Sequence, residues 1–369
     1  MIHRPGYSPV SGTWQRRIGG WFAGWAPPPD VFAVVMATGI VSVAGYDHGY
    51  WRLGIALSIL AAVAFAGLAV GLLLWSATRR ARVMGLTRDP DVALRMFTFV
   101  AACTVLDVRW GDHPAGGWLL DALALAGWLV LMPLAAVDVA ARPVADLRAH
   151  ARGAWLLPSV ATAGLAITAS SLAIHVRLPA LVVVAALAWV LAMVLYLLVT
   201  WLIAGRALAR PFGPDEVTPD SWILMGALAI TTLAGAHILA AVHTLNAPSG
   251  LVTWTRPLTL AAWVLASLWI PGLLYVQVWR AAHVPGSLRY QGMWWSAVFP
   301  LGMYSAASAA TATQLHMRSL GTVSLVFFWI AFTVWTLVAT GLLHSVVGRG
   351  AQVGAGSADP PPGTRRSVG

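Results

Sequence analysis

Trp294 to Thr313, WWSAVFPLGMYSAASAATAT, sets one bulky ring beside a proline and ahead of a run of small residues. At about 100° per residue, Gly302, Met303, Ala306, Ala310 and Thr313 fall within about 60° of the direction in which Phe299 points. One helix face thus carries a phenyl ring followed by an almost empty stripe. Pro300 removes a backbone hydrogen bond and frees a carbonyl, which a membrane span tolerates only where protein or water satisfies the exposed group. Two readings fit. The ring is either a core residue on a kinked helix whose small residues serve close packing, or a gate closing a narrow tube.

The rest of the chain supplies the setting. With 369 residues, 59% hydrophobic and 10% charged, and a mean hydropathy of +0.76, the chain is too apolar for a soluble protein of this length and reads as a polytopic membrane protein. Its 23 basic residues are all Arg and are spread over many short loops. Orientation in a membrane therefore explains the basic charge, and nucleic acid is not an expected partner. The single cysteine, Cys103, lies in an apolar span, which excludes an internal disulfide and a thiolate metal cluster. The first residues lack an uninterrupted apolar stretch with a cleavage site, so the N-terminus reads as retained.

Residues 1–26 are polar and Gly-rich, yet Ile18, Trp21, Phe22 and Trp25 share a helical face beside Arg16 and Arg17. The segment reads either as an interfacial helix on the cytoplasmic side or as an irregular tail. After Pro27 to Pro29, apolar spans fall at about 31–46, 52–76, 92–110, 117–138, 155–176, 179–204, 221–244, 256–279, 291–315 and 319–345. Ten spans make residues 27–348 one transmembrane domain, and 349–369, rich in Gly, Pro and Ser, a disordered cytoplasmic tail. An even count puts both termini on one side. The Arg-rich connections, with Arg79, Arg80, Arg82, Arg88, Arg142, Arg148 and Arg152, place that side in the cytoplasm.

Short connections after the odd spans make the chain five consecutive helical hairpins in an all-α membrane fold. The odd spans carry the larger share of Ser and Thr among the first eight, so odd helices are expected to line a central pore and even helices to face lipid. On the fifth span Ser159, Thr162, Ala166 and Ser170 form one face. Thr38 and Ser42 on the first span, and Thr231 and Gly235 on the seventh, are each one turn apart. With Gly302, Ala306 and Ala310 these residues are the expected pore lining, a tube of hydroxyls and small side chains suited to a partly hydrated ion. Taken singly, each equally suits hydrogen bonding or close packing between helices.

His237 is the ionisable residue nearest the middle of a span, and it is either a proton carrier or a partner of a neighbouring helix. His243 points about 120° away, so the two cannot ligate one metal or haem from this helix. No nucleophile paired with a base, no phosphate loop and no Cys/His cluster occurs. Neither an enzyme nor a metal or cofactor is expected.

Four stretches carry a resemblance: PPPDVFAVVMATGIVS at Pro27 to Ser42, RMFTFVAACTVLDVR at Arg95 to Arg109, WLLPSV at Trp155 and WWSAVFPLG at Trp294. Together they resemble the tellurite-resistance/dicarboxylate transporter family, also called the voltage-dependent anion channel family, which includes plant guard-cell slow anion channels. The resemblance runs from Pro27 to His344. It implies ten helices as five hairpins around a pore, homotrimers with one pore per protomer, and a phenylalanine gate that aligns with Phe299. It leaves two functions open: a passive channel for small anions, or a proton-coupled carrier of C4-dicarboxylates, sulfite or tellurite-type oxyanions. A multi-pass protein of the plasma or inner membrane is implied by either.

Overall fold

The computed structural model describes residues 27–78, 89–110, 114–210, 213–248 and 250–356. The N-terminal segment 1–26, the Arg-rich stretch 79–88 and residues 357–369 lie outside these residues. The described chain is helical: α1 (Ala33–Asp47), α2 (Trp51–Thr78), α3 (Pro90–Arg95), α4 (Thr98–Trp110), α5 (Pro114–Ala140), α6 (Val144–His150), α7 (Leu157–Val176), α8 (Ala180–Ala209), α9 (Ile223–Leu245), α10 (Gly250–His283), α11 (Trp295–Leu315) and α12 (Arg318–Gly356).

Two boundaries differ from the hydropathy reading. The third span divides. Asp89 caps α3 by accepting the Asp91 N–H, with Pro90 in the first turn, and the chain turns at Met96 and Phe97 before α4 starts. Arg95 thereby ends a short separate helix instead of entering the span. At the other end α12 continues past Arg349 to Gly356, because the helix-stopping prolines begin only at Pro360.

Five helices close a ring: α1 packs on α4, α4 on α7, α7 on α9, α9 on α11 and α11 back on α1. Each ring helix also packs on the helix that follows it, α2, α5, α8, α10 and α12 respectively. Every outer helix in addition touches the next ring helix round, so that α2 meets α4, α5 meets α7, α8 meets α9, α10 meets α11 and α12 meets α1. The turns within the pairs repeat as well. Arg177, Asn246 and His316 follow α7, α9 and α11 at φ of 53°, 50° and 52°, and Gly49 after α1 stands at 80°. A left-handed residue there reverses the chain within two to four residues.

Burial follows the ring. Of the most apolar stretch in α7 and α9, 72% and 83% of residues are buried, against at most 33% in any of α2, α5, α8, α10 and α12. The outer helices show Val, Leu and Trp to the surroundings, as lipid contact requires. Among the described residues seven helices are long and apolar enough to cross a membrane: α7 and α9, each with its preceding turn, and the five outer helices. The remaining three expected spans are ring helices, α1, α4 and α11, of 15, 13 and 21 residues. Enclosed by other helices, they need neither the length nor the hydropathy that lipid imposes.

Candidate functional site

The ring is tight because small residues let its helices touch. A Cβ built on Gly226 of α9 would lie 2.8 Å from Cγ and 2.9 Å from Cβ of Pro300 in α11, and one on Gly302 of α11 would lie 2.9 Å from Cγ2 of Ile40 in α1. Gly226 is required by the close approach of α11 at Pro300, whereas Gly302 faces the end of the Ile40 side chain.

On the ring axis is a cavity to which all five ring helices contribute: Ile40 and Val43 from α1, Thr104, Val105 and Val108 from α4, Gly164 and Ile167 from α7, Ile230 and Leu233 from α9, and Met303 from α11. Its volume is about 10 Å³, roughly the least that admits one water. Thr104 supplies the one hydroxyl, and it donates to the Ala101 carbonyl of its own helix at 3.1 Å. The axis at this level is closed by aliphatic side chains and carries no charge.

Phe299 is 1% exposed and lies one turn before Met303, on the same face of α11. Met303 lines the axial cavity and Phe299 itself is not in its wall. His237 follows Leu233 by one turn on the lining face of α9 and makes no hydrogen bond among the described residues. Helical periodicity places Met303 on the Phe299 face but gives no sign of the rest of the aliphatic lining.

The hydroxyls expected to line the pore have other partners. Thr38 accepts the Trp335 indole N–H at 3.0 Å, and Thr162 accepts that of Trp128 at 2.8 Å. Ser42 donates to the Gly54 carbonyl at 2.7 Å and Ser159 to the Ala192 carbonyl at 2.8 Å. Thr231 and Ser170 donate to Ala227 and Ala166 one turn back in their own helices, and the Thr231 carbonyl takes the Trp189 indole at 2.8 Å. A Cβ on Gly235 would strike Thr259 of α10. Thr38, Ser42, Ser159, Thr162 and Gly235 thus meet outer helices, because an indole or a carbonyl on an apolar outer helix needs a polar partner that lipid cannot give. Ala166 and Ala306 are buried and Ala310 is half-buried, and none of the three is in the cavity wall, nor is Gly302.

The indoles form a pattern of their own. Trp128 of α5 donates to α7, Trp189 of α8 to α9, Trp263 of α10 to Ser308 of α11 at 3.0 Å, and Trp335 of α12 to α1. Four of the five outer helices so pin the ring helix after their own partner with neutral hydrogen bonds.

A family model described as voltage-dependent anion channel matches residues 27–343. Uncharacterized membrane proteins from two strains of Mycobacterium tuberculosis, H37Rv and CDC 1551 / Oshkosh, are 35% identical over 154 residues, covering 41% of this chain and 77% of each relative. With nearly the whole helical region matched, the chain is a multi-pass membrane protein that belongs to the voltage-dependent anion channel family.

Proposed function

We propose that the protein is a passive channel for small anions, with the ring axis as the path and Phe299 as its gate. The observation that carries this reading is the axial cavity: it draws on all five ring helices and has an uncharged wall. A binding site that held an anion tightly would need a compensating charge there, whereas a neutral wall suits transient passage. In this reading the chain forms ten transmembrane helices as five hairpins, the family-like assembly is a homotrimer, and the Arg-rich loops hold both termini in the cytoplasm of a plasma or inner membrane. A mass other than three chains for the detergent-solubilised particle would remove the trimer.

His237 on the lining face favours one competing function, a proton-coupled carrier of dicarboxylates or toxic oxyanions. Reconstitution in liposomes separates the two. For a channel, the reversal potential follows the anion gradient alone, and His237→Ala still conducts. For a carrier, the potential shifts with the proton gradient and His237→Ala abolishes uptake. A well-folded His237→Ala with complete loss of flux would overturn the channel.

A further inference from the structure

At the N-terminal ends of the ring helices the chemistry reverses from apolar to ionic. A second pocket, filled by its own side chains with about 0 Å³ left for a water, is lined by Asp30 ahead of α1, Arg95 closing α3, Arg152 ahead of α7, Asp220 ahead of α9 and Ser296 at the start of α11. Arg95 Nη2 donates to Asp30 Oδ2 at 2.6 Å, with the side chains 17% and 14% exposed. Arg95 Nη1 also stands 3.5 Å from Asp91, and Arg152 Nε stands 3.1 Å from the same carboxylate.

The three carboxylates are held differently. Asp91 takes the Trp155 indole besides the two arginines, and Asp220 accepts the Ala154 backbone N–H at 2.9 Å and the Thr218 hydroxyl. Both are tied into the turns that start helices. Asp30 comes from a turn 65 residues from Arg95, behind three prolines, and reaches across the cavity mouth to the guanidinium. Two carboxylates and two guanidiniums line the pocket and Asp91 stands against both arginines, so while Asp30 holds Arg95 no net positive charge is left to draw an anion.

We propose that Arg95, with Arg152 beside it, is the seat where a planar oxyanion of carboxylate geometry docks, and that the Asp30 carboxylate fills this seat in the closed molecule. A guanidinium presents donors in a rigid plane that match two oxygens of one anion, and a spherical halide uses that geometry poorly. The occupant already present is a carboxylate, so the seat favours carboxylates and similar oxyanions over chloride. Its place in transport rests on the ring axis being the anion path, since Ser296 in the cavity wall lies three residues before Phe299 on α11. Binding itself does not rest on that reading.

The test is anion-dependent thermal stabilisation of the purified protein, with sodium formate against sodium chloride at constant ionic strength. Removing an internal competitor raises the apparent affinity by the inverse of the fraction of open seats, so Asp30→Ala is expected to half-saturate with formate at about one tenth of the wild-type concentration. Chloride should produce little shift, and Asp30→Ala/Arg95→Gln should lose the formate response. Asp30→Asn, which keeps side-chain volume, is read in the same way if Asp30→Ala does not fold. Equal half-saturation in wild type and the Asp30 variants, or an undiminished response without Arg95, overturns the seat. A wild type that binds formate through Arg95 but passes no anion overturns the channel and leaves the seat standing.

Discussion

Phe299→Ala combined with Leu233→Ala passes anions at least about tenfold faster than either single variant, which corresponds to about 1.4 kcal/mol removed from the barrier. The argument is one of length. An anion entering an apolar constriction loses its hydration at a cost of several kcal/mol even after the surroundings relax. Phe299 alone would close a tube whose other walls were Gly302, Ala306 and Ala310. Met303, Ile40, Ile230 and Leu233 instead close the axis one turn further on, so truncating the ring leaves the next level dry. Removing bulk at both levels lets water connect through. Stability separates a gate from a packing role: a sealed core Phe costs about 3–5 kcal/mol when cut to Ala, whereas a site that water refills costs less. Conductance in liposomes and thermal unfolding are measured on both single variants and the double. A destabilised Phe299→Ala, with a double variant that conducts no better, would sink the gate.

The fold was legible where lipid writes the sequence. Apolar length and short connections gave the outer helices and the turns, because a surface facing hydrocarbon must be apolar along its whole length. The ring helices were harder. α1 and α4 are short, and the third span hid a break at Met96 and Phe97 that separates Arg95 from α4. The axis is harder to read for a related reason. A row of hydroxyls on an inner helix can point inward to a pore or outward to a seam, and helical periodicity gives their shared face without its direction. The signal that resolves it was on the partners. Trp128, Trp189, Trp263 and Trp335 are indoles on otherwise apolar helices, each needing an acceptor, and the ring helices are where acceptors are. Once Thr38, Thr162 and the Thr231 carbonyl are committed to those indoles, the opposite faces, with Ile40, Ile230, Leu233 and Met303, are left for the axis. The mouth was invisible to spacing, since Asp30, Arg95 and Arg152 meet only when the ring closes.

Gly226→Ala is expected to destabilise the protein by about 1–3 kcal/mol, the usual penalty for forcing extra volume into a packed contact. The magnitude turns on what the new methyl meets. At Gly302 the nearest atom is Cγ2 of Ile40, with Cγ1 at 3.5 Å, and a side chain can shift toward the axis. At Gly226 the neighbours are Cγ, Cβ and Cα of Pro300 at 2.8, 2.9 and 3.1 Å. A pyrrolidine ring has no rotamer that clears the space, so α9 and α11 must part. Phe299 precedes that proline, and its position relative to the axis is set by the same contact. Gly302→Ala should therefore leave thermal stability closer to wild type while narrowing the axis through Ile40. Pro300→Ala supplies the decisive control. It removes the obstructing ring, so Gly226→Ala/Pro300→Ala should be less destabilised than the sum of the two single variants, as expected for substitutions in direct contact. Thermal unfolding in detergent reads all four proteins. Additive losses, or a Gly226→Ala that unfolds with the wild type, would show that the α9 to α11 contact has room to spare and does not fix the position of Phe299.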